Sequence, residues 1–208
     1  MEIVILRHGT TAGNAGKAYI GSLDVPVSEE GLAEARRIPA DESVRTCYIT
    51  PYRRTRQTAE ILYPNATYIP VADLREIDFG VFEGRQVEEL KGDPQYQQWA
   101  AGNFQAVCPG GESFEGLGRR AVPAFLKTIA QAQAEGAGTI HFVLHGCVIS
   151  VLMMLLANDH KDFWDYACDN LCGFRLTPAG TTHNGLPEFS YVYYQPDTSH
   201  ERRGLWKD

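Results

Sequence analysis

The chain has 208 residues, of which 44% are hydrophobic and 22% are charged, and this composition is typical of a single enzyme domain with one substantial core. The formal net charge of -7 makes the surface repel nucleic acid and anionic membranes, so neither is an expected partner. The longest apolar run, residues 148–157, is too short for a membrane span, and no signal-peptide pattern follows Met1. We therefore expect a cytoplasmic protein.

The first strand is predicted at residues 2–6, an apolar, β-branched run that ends where Arg7 and His8 begin. Strands and helices then alternate along the chain, which is typical of an α/β fold with a mostly parallel sheet. The predicted strands are 2–6, 46–50, 66–69, 139–144, 174–177 and 189–194, and the predicted long helices are 29–38, 51–62, 113–134 and 148–157.

Residues 70–111 interrupt this alternation, because they are rich in glycine and lack a long periodic segment. We expect a loop-rich insertion there, with short helices at 87–90 and 94–101. Residues 1–195 are expected to form a single domain that contains this insertion. Residues 196–208 are expected to be a polar and partly disordered tail.

The five cysteines are odd in number and irregularly spaced, which argues against a disulfide framework. Cys168 and Cys172 could share a helical face, but no second cysteine or histidine pair lies nearby in the sequence to complete a zinc site. We expect reduced thiols and no metal ion.

Four polar clusters each follow a predicted strand or begin a loop. Because strand-helix alternation brings such positions to one edge of a sheet, we expect the clusters to meet there. Two histidines, two arginines and a carboxylate at one edge would form a site for a phosphate dianion and for proton transfer. These clusters are Arg7-His8, Arg53-Arg54, Glu76 and His145.

The side chains in these clusters suffice for phosphoryl transfer. Neutral imidazole is a competent nucleophile near pH 7 and needs no metal ion, so one histidine can attack phosphorus. The arginines and the second histidine would hold the phosphate oxygens. Glu76 would donate the proton that lets an alkoxide leave. No cofactor is expected, and the predicted ligand is a small phosphate ester.

Six ordered segments of the chain resemble the histidine phosphatase superfamily, which also contains the cofactor-dependent phosphoglycerate mutases. The first is Arg7-His8-Gly9-Thr10-Thr11, similar to the Arg-His-Gly signature of that family. A lone Arg-His-Gly would be a weak signal, but six segments in order are highly specific. The other five segments are residues 21–28, 50–59, 74–84, 109–114 and 144–146.

The resemblance implies the three-layer α/β/α fold of the phosphoglycerate mutases, with the insertion over the active site. It implies that His8 becomes a phosphohistidine and that Glu76 is the proton donor. Arg7, Arg54 and His145 would form the phosphate pocket.

The remaining residues implied by the resemblance are further substrate contacts, namely Thr11, Asn14 and the backbone near Gly21 and Gly146. Of the two adjacent arginines, the family pattern matches Arg54 rather than Arg53. Consecutive helical residues point about 100° apart, so only one of the two can face the ligand. Residues 168–187 depart from the family pattern, and no function is carried over to them.

Three functions remain open from the sequence. A phosphatase is favoured because the segment after Gly9 lacks the tryptophan of the mutase pattern, because residues 78–84 are similar to the phosphatase form, and because the chain is short for a mutase. A cofactor-dependent phosphoglycerate mutase is the first alternative. A non-catalytic phospho-ligand-binding regulatory module is the second. The oligomeric state cannot be derived from the sequence.

Small members of the family with this layout include α-ribazole-5'-phosphate phosphatases, phosphoserine phosphatases and broad-specificity phosphomonoesterases. Substrate specificity is expected to come from the insertion, where several aromatic side chains would either line a wall of the site or pack a small local core. These aromatic residues are Phe79, Phe82, Tyr96, Trp99 and Phe104.

Overall fold

The computed structural model describes residues 1–102 and 105–196, and a six-stranded sheet forms its centre. Phe104 and the tail from residue 197 onwards lie outside the described residues. The strands are β1 (Glu2–Arg7), β2 (Thr46–Ile49), β3 (Thr67–Pro70), β4 (Thr139–Leu144), β5 (Gly173–His183) and β6 (Leu186–Tyr194).

The strand order is β3-β2-β4-β1-β5-β6. β1, β2, β3 and β4 pair in parallel, whereas β5 pairs antiparallel with both β1 and β6. The predicted α/β fold with a mostly parallel sheet is confirmed. The carboxyl ends of β1 and β4 lie side by side, because Arg7 is in register with Leu144.

Helices cover both faces of the sheet, because strand residues alternate between two hydrophobic cores. Ile3 and Ile5 pack into the core that contains residues of the two longest helices, α6 and α7, whereas Leu6 packs into the core with α2 and α3. The helices are α1 (Ala12–Ala15), α2 (Glu29–Arg37), α3 (Arg53–Leu62), α4 (Val87–Leu90), α5 (Pro94–Ala100), α6 (Phe114–Ala134) and α7 (Gly146–Leu156).

The segment between β3 and α6 has the short helices that the sequence predicts, α4 and α5. It also contains 3-10 helices at Ala72–Leu74 and Gly80–Phe82, and a third 3-10 helix lies at Phe163–Tyr166. Helix α7 begins at Gly146, directly after the predicted site residue His145, rather than at Val148. Within residues 1–102 and 105–196, no helix has the length and apolar character to cross a membrane.

The last two strands are much longer than predicted and form one hairpin. The prediction of strands at 174–177 and 189–194 missed the turn between β5 and β6, where Asn184 has φ 49° and Gly185 has φ 79°. Two successive positive φ angles define the tight hairpin turn that Asn-Gly favours. The Asn-Gly dipeptide was therefore the available signal for this hairpin.

Candidate active site

The two predicted catalytic histidines lie side by side at the carboxyl edge of the sheet. His8 follows β1 and His145 follows β4, and the His8 amide donates to the Leu144 carbonyl at 3.0 Å. The two ring centroids are 5.2 Å apart with an interplanar angle of 64°. The parallel pairing of β1 with β4 thus accounts for the proximity of residues that are far apart in sequence.

The His8 ring has the tautomer that a nucleophile requires. Its Nδ1 lies 2.8 Å from the Gly9 carbonyl oxygen, which can only accept, so Nδ1 carries the proton and Nε2 keeps its lone pair. Burial lowers the pKa of His8 well below its ordinary range, and the charges of Arg54 and Arg7 lower it further. His8 is therefore a neutral imidazole at pH 7.

The His145 ring is held by partners at both nitrogens. Arg54 Nε donates to its Nδ1 at 3.2 Å, so the proton is on Nε2, which donates to Thr50 Oγ1 at 2.9 Å. The pKa of His145 is also well below its ordinary value, first because of burial and then because of Arg54, His8 and Arg7. Both histidines are neutral in the ligand-free site.

The Arg54 guanidinium is fully buried, with 0% exposure, at the second position of α3. Besides His145, it donates to the carbonyls of Leu23 and Gly21, each at 2.8 Å. These contacts fix the plane of the Arg54 guanidinium and leave its remaining N–H groups available to a ligand. The neighbouring Arg53 is exposed, so the structure places Arg54 and not Arg53 in the site.

The Arg7 guanidinium lies beside the start of α7 and is 8% exposed. Its Nη1 donates to the Cys168 carbonyl at 2.7 Å, whereas its buried Nε has no hydrogen-bond partner among the described residues. A Cβ atom at Gly146 would lie 3.3 Å from the Cζ and Nε atoms of Arg7. Glycine at this position therefore leaves room for the guanidinium, and the unpaired Nε–H is a donor for an anion.

Glu76 faces the same space from the segment after β3. Its carboxylate accepts from the amides of Cys147 at 3.1 Å and Ile77 at 3.0 Å, so it lies at the amino end of α7. Burial raises the pKa of Glu76, although the two amide bonds and the charges of Arg54 and Arg7 oppose that rise. A raised pKa keeps a proton available for transfer, as a general acid needs.

Arg120 on α6 positions Glu76, and sequence reasoning missed it. Arg120 donates to the carbonyls of Asp73, Arg75 and Glu76 at 2.7 to 3.0 Å. Its other N–H groups donate to Glu112, at 2.7 and 2.8 Å. One guanidinium therefore fixes the backbone from which the Glu76 side chain extends. The sequence offers no local sign of this role, because Arg120 lies 44 residues from Glu76.

Glu83 is a second positioning residue that sequence reasoning missed. Its carboxylate accepts from the amides of Ser22 at 2.7 Å, Phe79 at 3.0 Å and Gly21 at 3.1 Å. The same loop presents its carbonyls to Arg54. Glu83 thus holds the loop that in turn orients the Arg54 guanidinium. Its place in the segment 74–84, which matches the family pattern, was the available signal.

The other predicted substrate contacts have structural partners. Thr11 caps α1, accepting from the Asn14 amide, and the Asn14 side-chain oxygen accepts from the Thr11 amide, each at 3.2 Å. The Gly21 amide is bound to Glu83, and a Cβ atom there would lie 1.9 Å from the Ile77 carbonyl oxygen. Contact between substrate and Thr11, Asn14, Gly21 or Gly146 stays a prediction.

Four of the five aromatic residues predicted as a wall of the site lie in the described part of the chain, and these four form one cluster together with Tyr19. Phe79 and Phe82 are buried, at 6% and 0% exposure, so these two rings pack the local core rather than face a ligand. Tyr96 and Trp99 are less buried, and the Tyr96 and Tyr19 hydroxyls lie 3.0 Å apart. The outer surface of this cluster can still limit the shape of a substrate.

Together these groups have the charge and the chemistry to bind an anion and to supply a nucleophile and an acid. Two buried guanidinium ions carry positive charge that the neutral histidines do not balance. The Glu76 carboxylate can balance at most one of these two charges. A phosphate dianion would supply the missing negative charge, with His8 Nε2 available for attack.

The comparison with protein-family models agrees with this geometry. Residues 3–184 match the model of the histidine phosphatase superfamily (branch 1). The chain belongs to this superfamily. A probable phosphoglycerate mutase GpmB from Yersinia pestis (strain Pestoides F) is 30% identical over 172 residues, which cover 77% of this chain and 79% of that protein.

Solved structures share the fold at lower identity. The α-ribazole phosphatase from Shigella flexneri aligns with a TM-score of 0.78 and 20% identity, covering 97% of this chain and 100% of that chain. A mutant phosphoserine phosphatase from Entamoeba histolytica, in complex with phosphoserine, aligns with a TM-score of 0.75 and 19% identity. This alignment covers 94% of the present chain and 97% of the phosphoserine phosphatase chain. These similarities establish the three-layer architecture.

The role of Glu83 gives a testable prediction. In Glu83→Gln, one acceptor oxygen becomes an NH2 group that faces backbone amides, so the loop at 21–23 should loosen and Arg54 should shift. We expect kcat/KM for a phosphate ester to fall about tenfold to a hundredfold, because small misplacements of binding groups have effects of that size. Steady-state kinetics on p-nitrophenyl phosphate measures this.

The matched control is Glu88→Gln, which changes an exposed carboxylate on α4 that pairs with Lys91. It should leave kcat/KM within about twofold of wild type, as is usual for surface changes. Unchanged kinetics in Glu83→Gln would show that the loop does not depend on this carboxylate.

Proposed function

We propose that this protein is a metal-independent phosphomonoester hydrolase that acts through a phosphohistidine at His8 on a small phosphorylated metabolite. The observation that carries the proposal is the buried His8 ring, whose Nε2 is unprotonated and whose pKa is lowered by burial and by the charges of Arg54 and Arg7. α-Ribazole 5'-phosphate and a broad range of phosphate esters are the substrates to compare first, ranked by kcat/KM.

In the proposed first step, the lone pair of His8 Nε2 forms a bond to phosphorus while the bond from phosphorus to the ester oxygen breaks. The departing oxygen takes the proton of Glu76, whose raised pKa keeps that proton in place until the transition state. Arg7 and Arg54 stabilise the charge on the equatorial oxygens. The Gly9 carbonyl keeps its hydrogen bond to Nδ1 as the ring gains positive charge.

In the second step, the Glu76 carboxylate accepts a proton from water, and the resulting hydroxide attacks phosphorus. The bond from phosphorus to Nε2 breaks, and its electron pair returns to the ring. Inorganic phosphate leaves, and Glu76 is again protonated, so each turnover restores the starting charges. The presence of all five groups also argues against a purely regulatory module, which has no need of an acid beside the nucleophile.

The nucleophile can be tested by covalent trapping. We expect wild-type protein, mixed briefly with radiolabelled phosphate ester and quenched in base, to carry an acid-labile label, because phosphohistidine is stable in base and labile in acid. His8→Ala should carry no label and should hydrolyse p-nitrophenyl phosphate at least about 10³-fold more slowly, because losing a covalent nucleophile has an effect of that size. Activity that survives in His8→Ala would remove His8 from this role.

Glu76→Gln should separate the two steps. With p-nitrophenyl phosphate, whose leaving group needs no proton, we expect a rapid burst of p-nitrophenol followed by slow turnover, because hydrolysis of the phosphohistidine still lacks its base. With an alkyl phosphate we expect the first step itself to slow about 10²- to 10⁴-fold, the usual contribution of a general acid. Stopped-flow and rapid-quench kinetics distinguish the two outcomes, with Glu88→Gln as the exposed control.

The pH profile provides a second readout of the same variant. Wild-type kcat/KM for alkyl phosphates should fall at low pH, where His8 becomes protonated. Because the pKa of His8 is lowered, this fall should occur at a pH below the ordinary range of imidazole. The value of kcat/KM should also fall as pH rises through the raised pKa of Glu76. In Glu76→Gln the alkaline decline should disappear and the acid decline should remain. A profile that keeps both declines would contradict the assignment of Glu76.

A cofactor-dependent phosphoglycerate mutase is the second candidate, favoured by the 30% identity to the probable phosphoglycerate mutase GpmB. Both functions need the phosphohistidine and differ only in whether water or a substrate hydroxyl accepts the phosphoryl group. With 3-phosphoglycerate and 2,3-bisphosphoglycerate, we expect release of inorganic phosphate to exceed formation of 2-phosphoglycerate. Isomerisation that clearly outpaces hydrolysis would establish the mutase instead.

A further inference from the structure

We propose that His160, His183 and Glu188 form a binding site for a divalent transition-metal ion of the zinc class. Their ligand atoms all lie within 4.8 Å of one another. His160 Nε2 is 2.9 Å from Glu188 Oε1, and the His160 and His183 ring centroids are 4.3 Å apart. Two imidazoles and one carboxylate form a known three-residue ligand set for zinc, with water as the fourth ligand.

Two of the three ligands are placed by the β5–β6 hairpin. His183 pairs with Leu186, so the two side chains lie on the same face of the hairpin. Glu188 is two residues beyond Leu186, and alternate residues of a strand share a face. The tight turn at residues 184–185 fixes this register. The hairpin therefore brings an imidazole and a carboxylate together without help from the rest of the chain.

The third ligand comes from the segment after α7, which is bound to β6. The Asn158 amide donates to the Phe189 carbonyl at 3.1 Å, and the Tyr191 hydroxyl donates to the Asp159 carboxylate at 2.8 Å. His160 follows directly, with φ 50° in the left-handed region that a non-glycine residue seldom adopts. This backbone turn directs the ring towards Glu188.

The donor atoms need only a small adjustment to bind a metal ion. Ligand atoms around tetrahedral zinc are about 3.3 Å apart, given bond lengths of about 2.0 Å. The separations here reach at most 4.8 Å. Both histidines are exposed and can rotate, whereas the Glu188 side chain is 11% exposed and is held in place. With neutral imidazoles the three ligands carry one negative charge, which favours a cation.

This site is separate from the phosphate pocket. Gly173, at the start of β5, pairs with Leu6 at the active edge of the sheet, and β5 then runs antiparallel to β1. His183 is the last residue of that strand, ten residues beyond Gly173 and at the opposite end from the active edge. A bound ion would therefore fasten the hairpin to the segment after α7 and would take no part in phosphoryl transfer.

Zinc binding to untagged protein, first treated with a chelator and then dialysed, tests the proposal. We expect titration calorimetry to give one zinc ion per chain at this site, and zinc at a hundredfold excess over Kd to raise Tm by about 5 °C or more. His183→Gln and Glu188→Gln should weaken binding about tenfold or more and remove the Tm shift, since each loses a ligand. Cobalt(II) in place of zinc should give visible absorption bands of tetrahedral geometry.

Two control variants locate the ion. His8→Ala should keep the zinc-induced Tm shift, which excludes binding at the active-site histidines. Asp162→Asn, an exposed change close to His160 in sequence but outside the ligand set, should also keep it. His183→Gln should retain the hydrolysis rate of the metal-stripped protein.

The proposal is overturned if binding is lost in His8→Ala, if it persists unchanged in His183→Gln and Glu188→Gln, or if no stoichiometric binding occurs. In that last case the three side chains form only a contact between His160 and Glu188 with the His183 ring beside it. Because none of the ligands belongs to the phosphate pocket, each result is independent of whether the proposed hydrolase activity is found.

Discussion

The burial of two guanidinium ions at one edge of the sheet is the constraint on which the rest of the site depends. A buried charge is costly unless hydrogen bonds and opposite charge compensate it. Backbone carbonyls compensate part of it, since Arg7 donates to Cys168 and Arg54 donates to Gly21 and Leu23. Burial is the larger cause of the lowered pKa of both histidines, and the same positive charge lowers it further. His8 is therefore neutral because it is buried beside two guanidinium ions.

Two charged side chains outside the pocket fix the loops that carry its groups. Glu83 binds the amides of the loop whose carbonyls face Arg54. Arg120 binds the carbonyls of the segment that presents Glu76. One loop is thus held by a carboxylate through its N–H groups, and the other by a guanidinium through its C=O groups. Both contacts are charge-assisted hydrogen bonds, which are stronger than neutral ones.

The sequence predicted the parts of the fold and site that local patterns and motif order determine. The parallel strands and the convergence of His8 with His145 follow from apolar runs that end in polar residues. The choice of Arg54 over Arg53 follows from the resemblance to the family pattern, since helical geometry shows only that the two side chains cannot face the same ligand. The role of Arg120 could not be assigned from local pattern, because Glu76 is 44 residues away in sequence. The position of Glu83 within the matched segment 74–84 was a signal that was not used. The β5–β6 hairpin was missed for the same reason, since its Asn-Gly turn signal was present but not used.

The aromatic residues show a further limit of sequence reasoning. Phe79, Phe82 and Trp99 are all aromatic residues of the same insertion, yet only the two phenylalanines are buried in the local core. Burial within a short, irregular segment depends on tertiary contacts that no periodic pattern encodes. Residue type alone therefore predicts a hydrophobic cluster near the site but not which rings face the ligand.

The contact between Arg54 and His145 links the charge of the site to its geometry. Arg54 Nε can donate to His145 Nδ1 only while that nitrogen is unprotonated. A phosphate dianion in the pocket would favour a charged imidazole by raising the pKa of His145, which burial and the arginines otherwise hold down. Once Nδ1 is protonated, both groups are donors and the bond between them must break. In the proposed reaction, each of the two freed donors is then available to a phosphate oxygen, so arrival of the anion itself would release an internal hydrogen bond in favour of the substrate.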